Sequence, residues 1–270
     1  MSSRGEESSS SPRGVAVITC AVLELEVAHY LAKAGHASGG HGSGGDASGG
    51  NGSGGSRVVT MEQGLHNDPP QLRAKLQEAV DEIEQDASVA AIVLGYGLCS
   101  RGIEGVRTRR CRLVVPRAHD CITILLGSKE RYARYVAEHP GTYWYSPGWN
   151  KHHTPPGPER HAKLRAKYVE QFGEDNADYL MESEQHWFST YDRATYVHLT
   201  VGATDADKGY TRDCADWLKW RYDEQAGDPQ LLIDLLAGRW DDERFVVLEP
   251  GQTVAVTADE RVIEAVKADA

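Results

Sequence analysis

Val89-Ala90-Ala91-Ile92-Val93-Leu94-Gly95-Tyr96-Gly97-Leu98-Cys99 decides how this 270-residue chain is read. An unbroken apolar run without polar alternation describes a strand buried on both faces, and the two glycines after it describe a tight turn. A thiol stands just past that turn. The same order of residues recurs twice. Val15-Ala16-Val17-Ile18-Thr19 ends in Cys20, and Arg112-Leu113-Val114-Val115-Pro116 leads through Arg117-Ala118 to His119-Asp120-Cys121. Such runs, separated by helical patterns, predict a parallel sheet, and ligands of parallel sheets bind outside the carboxyl ends of the strands. Cys20, Cys99, Cys121 and His119 are therefore expected on one edge.

The rest of the chain extends this pattern. Leu23 to Leu31 reads as a helix after the first strand, and Arg57-Val58-Val59-Thr60-Met61 as the second strand. Residues 71–85 form an amphipathic helix with Leu72, Leu76, Val80 and Ile83 on one face and Asn67 or Asp68 as its cap. A Gly-rich turn and short helix follow the third strand, and a helix spans 121–137 after the fourth. Past an aromatic, turn-rich stretch at 140–149, a polar helical region covers 159–190. A strand is then expected at 196–201, a helix at 211–226, and strands at 245–248 and 251–256. The expected class is α/β: a parallel-sheet, Rossmann-like core over 14–150 and a second, linked α/β unit over 151–270. Residues 1–13 read as a disordered tail and the Gly/Ser tract at 35–56 as a flexible insertion, because neither can bury enough apolar surface to offset chain entropy.

Composition narrows the function. Twenty-nine basic against forty acidic residues give a net charge of −11, which repels a phosphate backbone and disfavours nucleic acid as a partner. No apolar run approaches the length of a membrane span, and the serine-rich start lacks the apolar segment of a secretory signal. An odd count of five cysteines then points to reduced thiols and a cytoplasmic location.

Thiolate and imidazole are the ligands preferred by zinc and iron–sulfur centres, so Cys20, Cys99, Cys121, His119 and His66 form the candidate metal set. Their separations match no compact finger, and the set rests on the inferred topology. Burial as small apolar side chains is the plain alternative for each cysteine. The chemical rival is a cysteine nucleophile. Cys121 would draw on the dipole of the helix it opens, Cys99 on Arg101 and a following helix, and Asp120 would either orient His119 or cap that helix. Glu24 and Asp120 are the candidate acids or bases. Gly95, Gly97 and Arg101 loosely resemble a phosphate-cradling turn, although neither a dinucleotide nor a P-loop spacing is present. Cys111 and Cys214 read as structural. Tyr143, Trp144, Tyr145 and Trp149 either roof a pocket or belong to a core, and Lys151-His152-His153 reads as an exposed loop.

Gly95-Tyr96-Gly97-Leu98-Cys99, Val115 to Ile122, Leu126-Gly127-Ser128 and the span from Pro140 to Trp149 together resemble a family of domains of unknown function, number 1638, from methanogenic archaea and various bacteria. The resemblance covers residues 14 to about 251, and the tract at 35–56 is foreign to it. It implies a setting beside corrinoid-dependent methyltransferases, hence one-carbon metabolism and a small-molecule or corrinoid-linked partner. The expected function is a cytoplasmic metal-binding protein with a Cys/His centre of zinc or iron–sulfur type, acting as an enzyme or as an accessory factor. The alternatives are a Cys/His nucleophilic enzyme and a metal-free small-molecule binding module.

Overall fold

The computed structural model describes residues 14–33, 41–43 and 56–268, with backbone alone for 41–43. The expected tail at 1–13 and most of the Gly/Ser tract lie outside the described residues. Strands β1 (Val15–Cys20), β2 (His41–Ser43), β3 (Val58–Met61), β4 (Ala91–Gly95), β5 (Arg112–Pro116) and β9 (Phe245–Leu248) make one sheet in the order β2-β3-β1-β4-β5-β9. All neighbours are parallel except β9, which runs antiparallel to β5. Every residue of β1 and β4 is buried, as the continuous apolar runs require of central parallel strands.

Helices cover this sheet. They are α1 (Glu24–Lys33), α2 (Pro69–Ile83), α3 (Cys121–Leu126) and, later in the chain, α9 (Gln230–Ala237), while α4 (Lys129–Glu138) follows α3 and bonds through Tyr135 to Thr195 and Asp223. The Asp68 carboxylate accepts the Gln71 N–H at 3.0 Å to start α2, which buries Leu72, Leu76, Ala79, Val80 and Ile83. The expected helix 121–137 is two helices. Gly127 takes a left-handed φ of 79° that ends α3, and the Ser128 hydroxyl accepts the Arg131 N–H to start α4.

A second sheet is parallel, in the order β6-β7-β8: β6 (Thr142–Tyr145), β7 (Arg193–His198) and β8 (Arg221–Ala226). Its own core gathers Tyr145, Tyr196, Cys214 and Trp220. Between β6 and β7 lie α5 (Pro147–His152), α6 (Pro158–Phe172) and α7 (Glu174–Phe188), and α8 (Asp205–Leu218) precedes β8. The expected helix 211–226 stops at Leu218, and its last third is β8, paired along the length of β7. The chain does not divide at residue 150. β6 begins the second sheet before that point, and β9 returns to the first sheet, bonded to β5 from Leu113–Leu248 to Pro116–Phe245. A hairpin of β10 (Gln252–Val256) and β11 (Ile263–Lys267) ends the described chain and clasps the 105–108 segment through Val254 N–H to Val106 O, 3.0 Å.

Candidate functional site

β1 has β3 on one side and β4 on the other, so the connections leaving the carboxyl ends of β1 and β4 depart in opposite directions. Such a reversal opens a crevice. Cys20 is the last residue of β1, Tyr96 follows β4 directly, His66 lies in the 3-10 turn after β3 (Gln63–Asn67), and Cys121 is the first residue of α3 after β5. Two loops are laced together here, with Leu98 N–H on Ala118 O at 2.8 Å and Cys99 N–H on His119 O at 2.9 Å. Gly97 makes that approach possible. A Cβ at this position would stand 2.5 Å from Asp120 N and 2.6 Å from its Cα.

No helix follows Cys99. Cys99, Ser100 and Arg101 take left-handed φ values of 46°, 55° and 68°, and turns continue to Gly105. Three such non-glycine residues in a row store strain, which at a crevice is a mark of constrained function. Without the helix, the dipole expected to act on Cys99 is missing. Arg101 points to solvent in a forked ion pair with Glu104, at 2.8 and 2.6 Å, and lends Cys99 no charge-paired hydrogen bond.

His66 is fixed by its backbone contact. Nδ1 lies 2.9 Å from Gln63 O, and since a carbonyl only accepts, Nδ1 carries the proton. The Nε2 lone pair then faces Cys20 Sγ at 3.9 Å. Burial lowers the His66 pKa, although the Gln63 contact and the Asp120 charge act the other way, so the ring is held neutral. Its face stacks on the Tyr96 ring, with centroids 5.9 Å apart.

All five cysteines are free thiols and all are buried. Burial pushes Cys20 up to about 11, against the pull of the Val22 N–H on its sulfur at 3.5 Å. Cys99 and Cys121 are raised well above the usual thiol value, by burial first, then by Asp120 and Cys20 for Cys99 and by Cys20, Asp120 and Cys99 for Cys121. Cys20 raises both Cys99 and Cys121, and Cys99 also raises Cys121, so the three share one neighbourhood. The Tyr96 hydroxyl is raised by burial and by all three thiols, and it makes no well-formed hydrogen bond although it is buried. The Cys121 N–H points at the Cys99 sulfur. Among the described residues, no group of three or more His, Cys, Asp or Glu side chains stands as a ready metal array.

The other expected site residues form the rim or lie outside it. His119 is exposed, its ring 5.7 Å from that of Tyr132. The Asp120 carboxylate caps α3 through the Thr123 N–H at 2.9 Å and accepts the Tyr132 hydroxyl at 3.1 Å, so it serves the helix and Tyr132 rather than His119. Glu24 opens α1 and binds Lys151 at 2.5 Å and His152 at 2.9 Å, contacts that hold its carboxyl low despite the cost of burial. Gly95 permits close packing on Thr19, whose Oγ1 would sit 2.7 Å from an added Cβ. Cys111 caps the far side of the sheet, its S–H directed at Val89 O at 3.4 Å.

The second sheet supplies a further wall, which carries Trp144 and Trp149 of the aromatic stretch. α5 presses on the turn after β1, where a Cβ on Gly148 would collide with Val22 O at 1.9 Å. This brings in Trp149 and His153, whose rings are 4.6 Å apart. Burial lowers His153 first, with Arg160 and His66 adding to the shift, so His153 is within electrostatic range of His66. Trp144 stacks on Tyr132 at 6.1 Å, which makes it part of the rim. Tyr96 and His153 had signals in the sequence, an aromatic inside the Gly-x-Gly turn and a histidine pair after an aromatic run. Neither signal identifies a partner without the packing of the two sheets.

No curated protein and no solved structure matches this chain. A family described as "Protein of unknown function (DUF1638)" matches residues 60–236, a span that takes in His66, Cys99, Cys121 and the whole of the second sheet. The chain belongs to the DUF1638 family.

Proposed function

We propose that this protein binds a soft metal ion, zinc or the iron of an iron–sulfur centre, through the thiolates of Cys20, Cys99 and Cys121 with His66 Nε2 as the fourth ligand. The observation that carries the reading is the preset imidazole. Its Nδ1–H is spent on Gln63 O, its ring is neutral, and its lone pair faces a buried sulfur at 3.9 Å. Metal-binding histidines are oriented by this kind of second hydrogen bond. Backbone N–H groups on the sulfurs of Cys20 and Cys99 add the donors that stabilise a thiolate. The donor set fits a soft cation, and drawing the thiols into one array requires rotation of the cysteine side chains.

The raised thiol pKa values weigh against the nucleophile reading. A nucleophilic cysteine needs a lowered pKa, whereas burial here keeps all three thiols protonated at neutral pH. A bound cation reverses that balance, because it supplies the charge that burial has removed. Where His66 gives up the fourth position to a thiol or water, the bound metal would supply Lewis acidity towards it. Tyr132, Asp120 and His119 at the rim would orient a small substrate there. The one-carbon setting implied by the family resemblance is compatible with such a thiol-binding centre.

The test is metal analysis of protein purified without oxygen, with its visible spectrum, followed by cobalt titration of the metal-free form. One metal per chain, or one cluster, is expected, with sulfur-to-metal charge transfer. Cys99→Ser, Cys121→Ser and His66→Ala should each lower occupancy, whereas Cys111→Ser and Cys214→Ser should not. A chain that takes up no thiophilic metal overturns the reading, as does one that loses metal equally with Cys111→Ser.

A further inference from the structure

The hairpin of α6 and α7 rests its base on the second core through Phe188 and His161, and its tip extends beyond both cores. α6 has fifteen residues and buries none of them. Among the described side chains of α7, Ala177 and Met181 are buried, one turn apart. The half-buried residues of α6, namely Arg160, His161, Leu164, Arg165, Tyr168 and Val169, recur at helical spacing on one stripe, and Arg165 reaches Asp178 of α7 at 2.9 Å. The opposite stripe of α6, with Ala162, Lys163, Ala166 and Lys167, is exposed. Towards the hairpin tip, Tyr168, Phe172, Asn176, Tyr179 and Leu180 line an open groove of about 480 Å³. Phe172 is 52% and Tyr179 73% exposed there. Large apolar side chains around an open groove mark a contact surface.

Charge states what covers it. α6 carries four basic residues against two acidic ones, while α7 carries five acidic residues and no Lys or Arg. The exposed acids Glu174, Asp178 and Glu182 follow one another at intervals of four, so they form a single stripe. Lys163 and Lys167 do the same on α6. A two-fold axis sets each surface patch against the same patch of a partner copy, so α6 of one chain can lie on α7 of the other twice over. Few surfaces complement themselves this way. The existing pairs, Lys163 with Glu159 at 2.6 Å and Arg165 with Asp178, are surface contacts that cost little to exchange.

We propose that the α6–α7 hairpin is a dimerisation surface, occupied by the hairpin of a second copy in an antiparallel four-helix arrangement. The basic stripe of α6 faces the acidic stripe of α7, and Phe172 and Tyr179 fill each other's grooves. Helices of fifteen residues are about 22 Å long and pack about 9 Å apart, which gives a footprint of roughly 400–500 Å² per copy. That is below the roughly 800 Å² per partner of a standard stable interface, so the association is of the weak, transient kind.

Sedimentation velocity of the full chain from about 1 to 200 µM at low salt tests this. A reversible monomer–dimer equilibrium is expected, and raising the salt to about 0.5 M should weaken it several-fold. Lys163→Glu with Lys167→Glu should abolish association, as should Glu174→Lys with Glu182→Lys. All four positions are exposed, so folding is untouched, and circular dichroism checks that it is. Mixing the two double variants should restore a dimer, because each then offers the charge the other needs on both halves of the two-fold. Phe172→Ser with Tyr179→Ser should also give a monomer. A wild-type chain monomeric at about 200 µM overturns the proposal, as does a dimer that ignores all these changes or a mixture that stays monomeric.

Discussion

Gly97→Ala tests whether the two cysteine-bearing loops are held together by close backbone contact. The new methyl would meet Asp120 N at 2.5 Å, Asp120 Cα at 2.6 Å and Ala118 O at 2.9 Å, all of them backbone atoms. No flexible side chain can swing aside, so one loop must move. Overpacking of this kind costs about 1–3 kcal/mol. The displacement also stretches the Leu98-to-Ala118 and Cys99-to-His119 hydrogen bonds, each worth about 1 kcal/mol. With each stretched bond losing about half its worth, the total of about 2–4 kcal/mol corresponds, in a chain of this size, to a fall in Tm of roughly 5–15 °C. Because Cys99 and Cys121 lie on the two loops, metal uptake should fall in parallel. Gly64→Ala is the control, since a Cβ there meets nothing within 4 Å. The assay is thermal unfolding by circular dichroism together with cobalt uptake. A Gly97→Ala protein that melts within about 1 °C of the wild type and binds cobalt equally well would refute the reasoning.

The remaining predictions concern titration and burial. The His66 pKa is lowered in the fold, so the unfolded chain gains the proton first. The stability from His66 is complete above its unfolded pKa and is lost as pH falls below it. Metal-free wild type should therefore lose more Tm than His66→Gln between pH 7.5 and 5.5, and equal losses would contradict this. Glu26 is buried with both carboxylate oxygens unpartnered, and burial raises its pKa to about 7. A raised acid costs stability as pH climbs from its unfolded value through the folded one, so Glu26→Met should stabilise the protein at pH 8 by about 2–3 kcal/mol and less at pH 5. Urea unfolding at both pH values reads the difference, and a destabilised variant at pH 8 would show that the carboxylate has a partner. Asp234 is nearly buried and pairs with Arg239 and Arg244, each at 2.6 Å. Although burial opposes it, those arginines hold the carboxyl below its usual value, so its contribution is present above about pH 4 and fades as pH falls through the folded pKa. With both arginines partly exposed, Asp234→Ala should cost about 2 kcal/mol at pH 7, and a loss under about 0.5 kcal/mol would mean that solvent screens the pairs.

By itself the sequence determined the central strands and the class. β1, β4 and β5 are legible because a strand buried on both faces is apolar along nearly its whole length and rich in β-branched residues. It also placed Cys20, His66 and Cys121 at strand ends, and the parallel order β3-β1-β4-β5 then put those ends on one edge. Helix α2 followed from its periodicity and the Asp68 cap. Tertiary structure decided what local pattern leaves open. Arg221–Ala226 continues a helical composition, yet it is a strand because β7 offers it six residues of backbone pairing. Phe245–Leu248 reads as part of a second unit, yet the open edge of β5 takes it back into the first sheet. The helix expected after Cys99 gives way to three left-handed residues, since the loop is held by hydrogen bonds to Ala118 and His119 from another strand's connection. His119, the histidine nearest to a cysteine in sequence, is exposed, and His66, more than forty residues from Cys20, faces its sulfur. Sequence neighbours on an extended turn point apart, whereas strand ends separated by a helix are brought together by the hydrogen-bond ladder of the sheet.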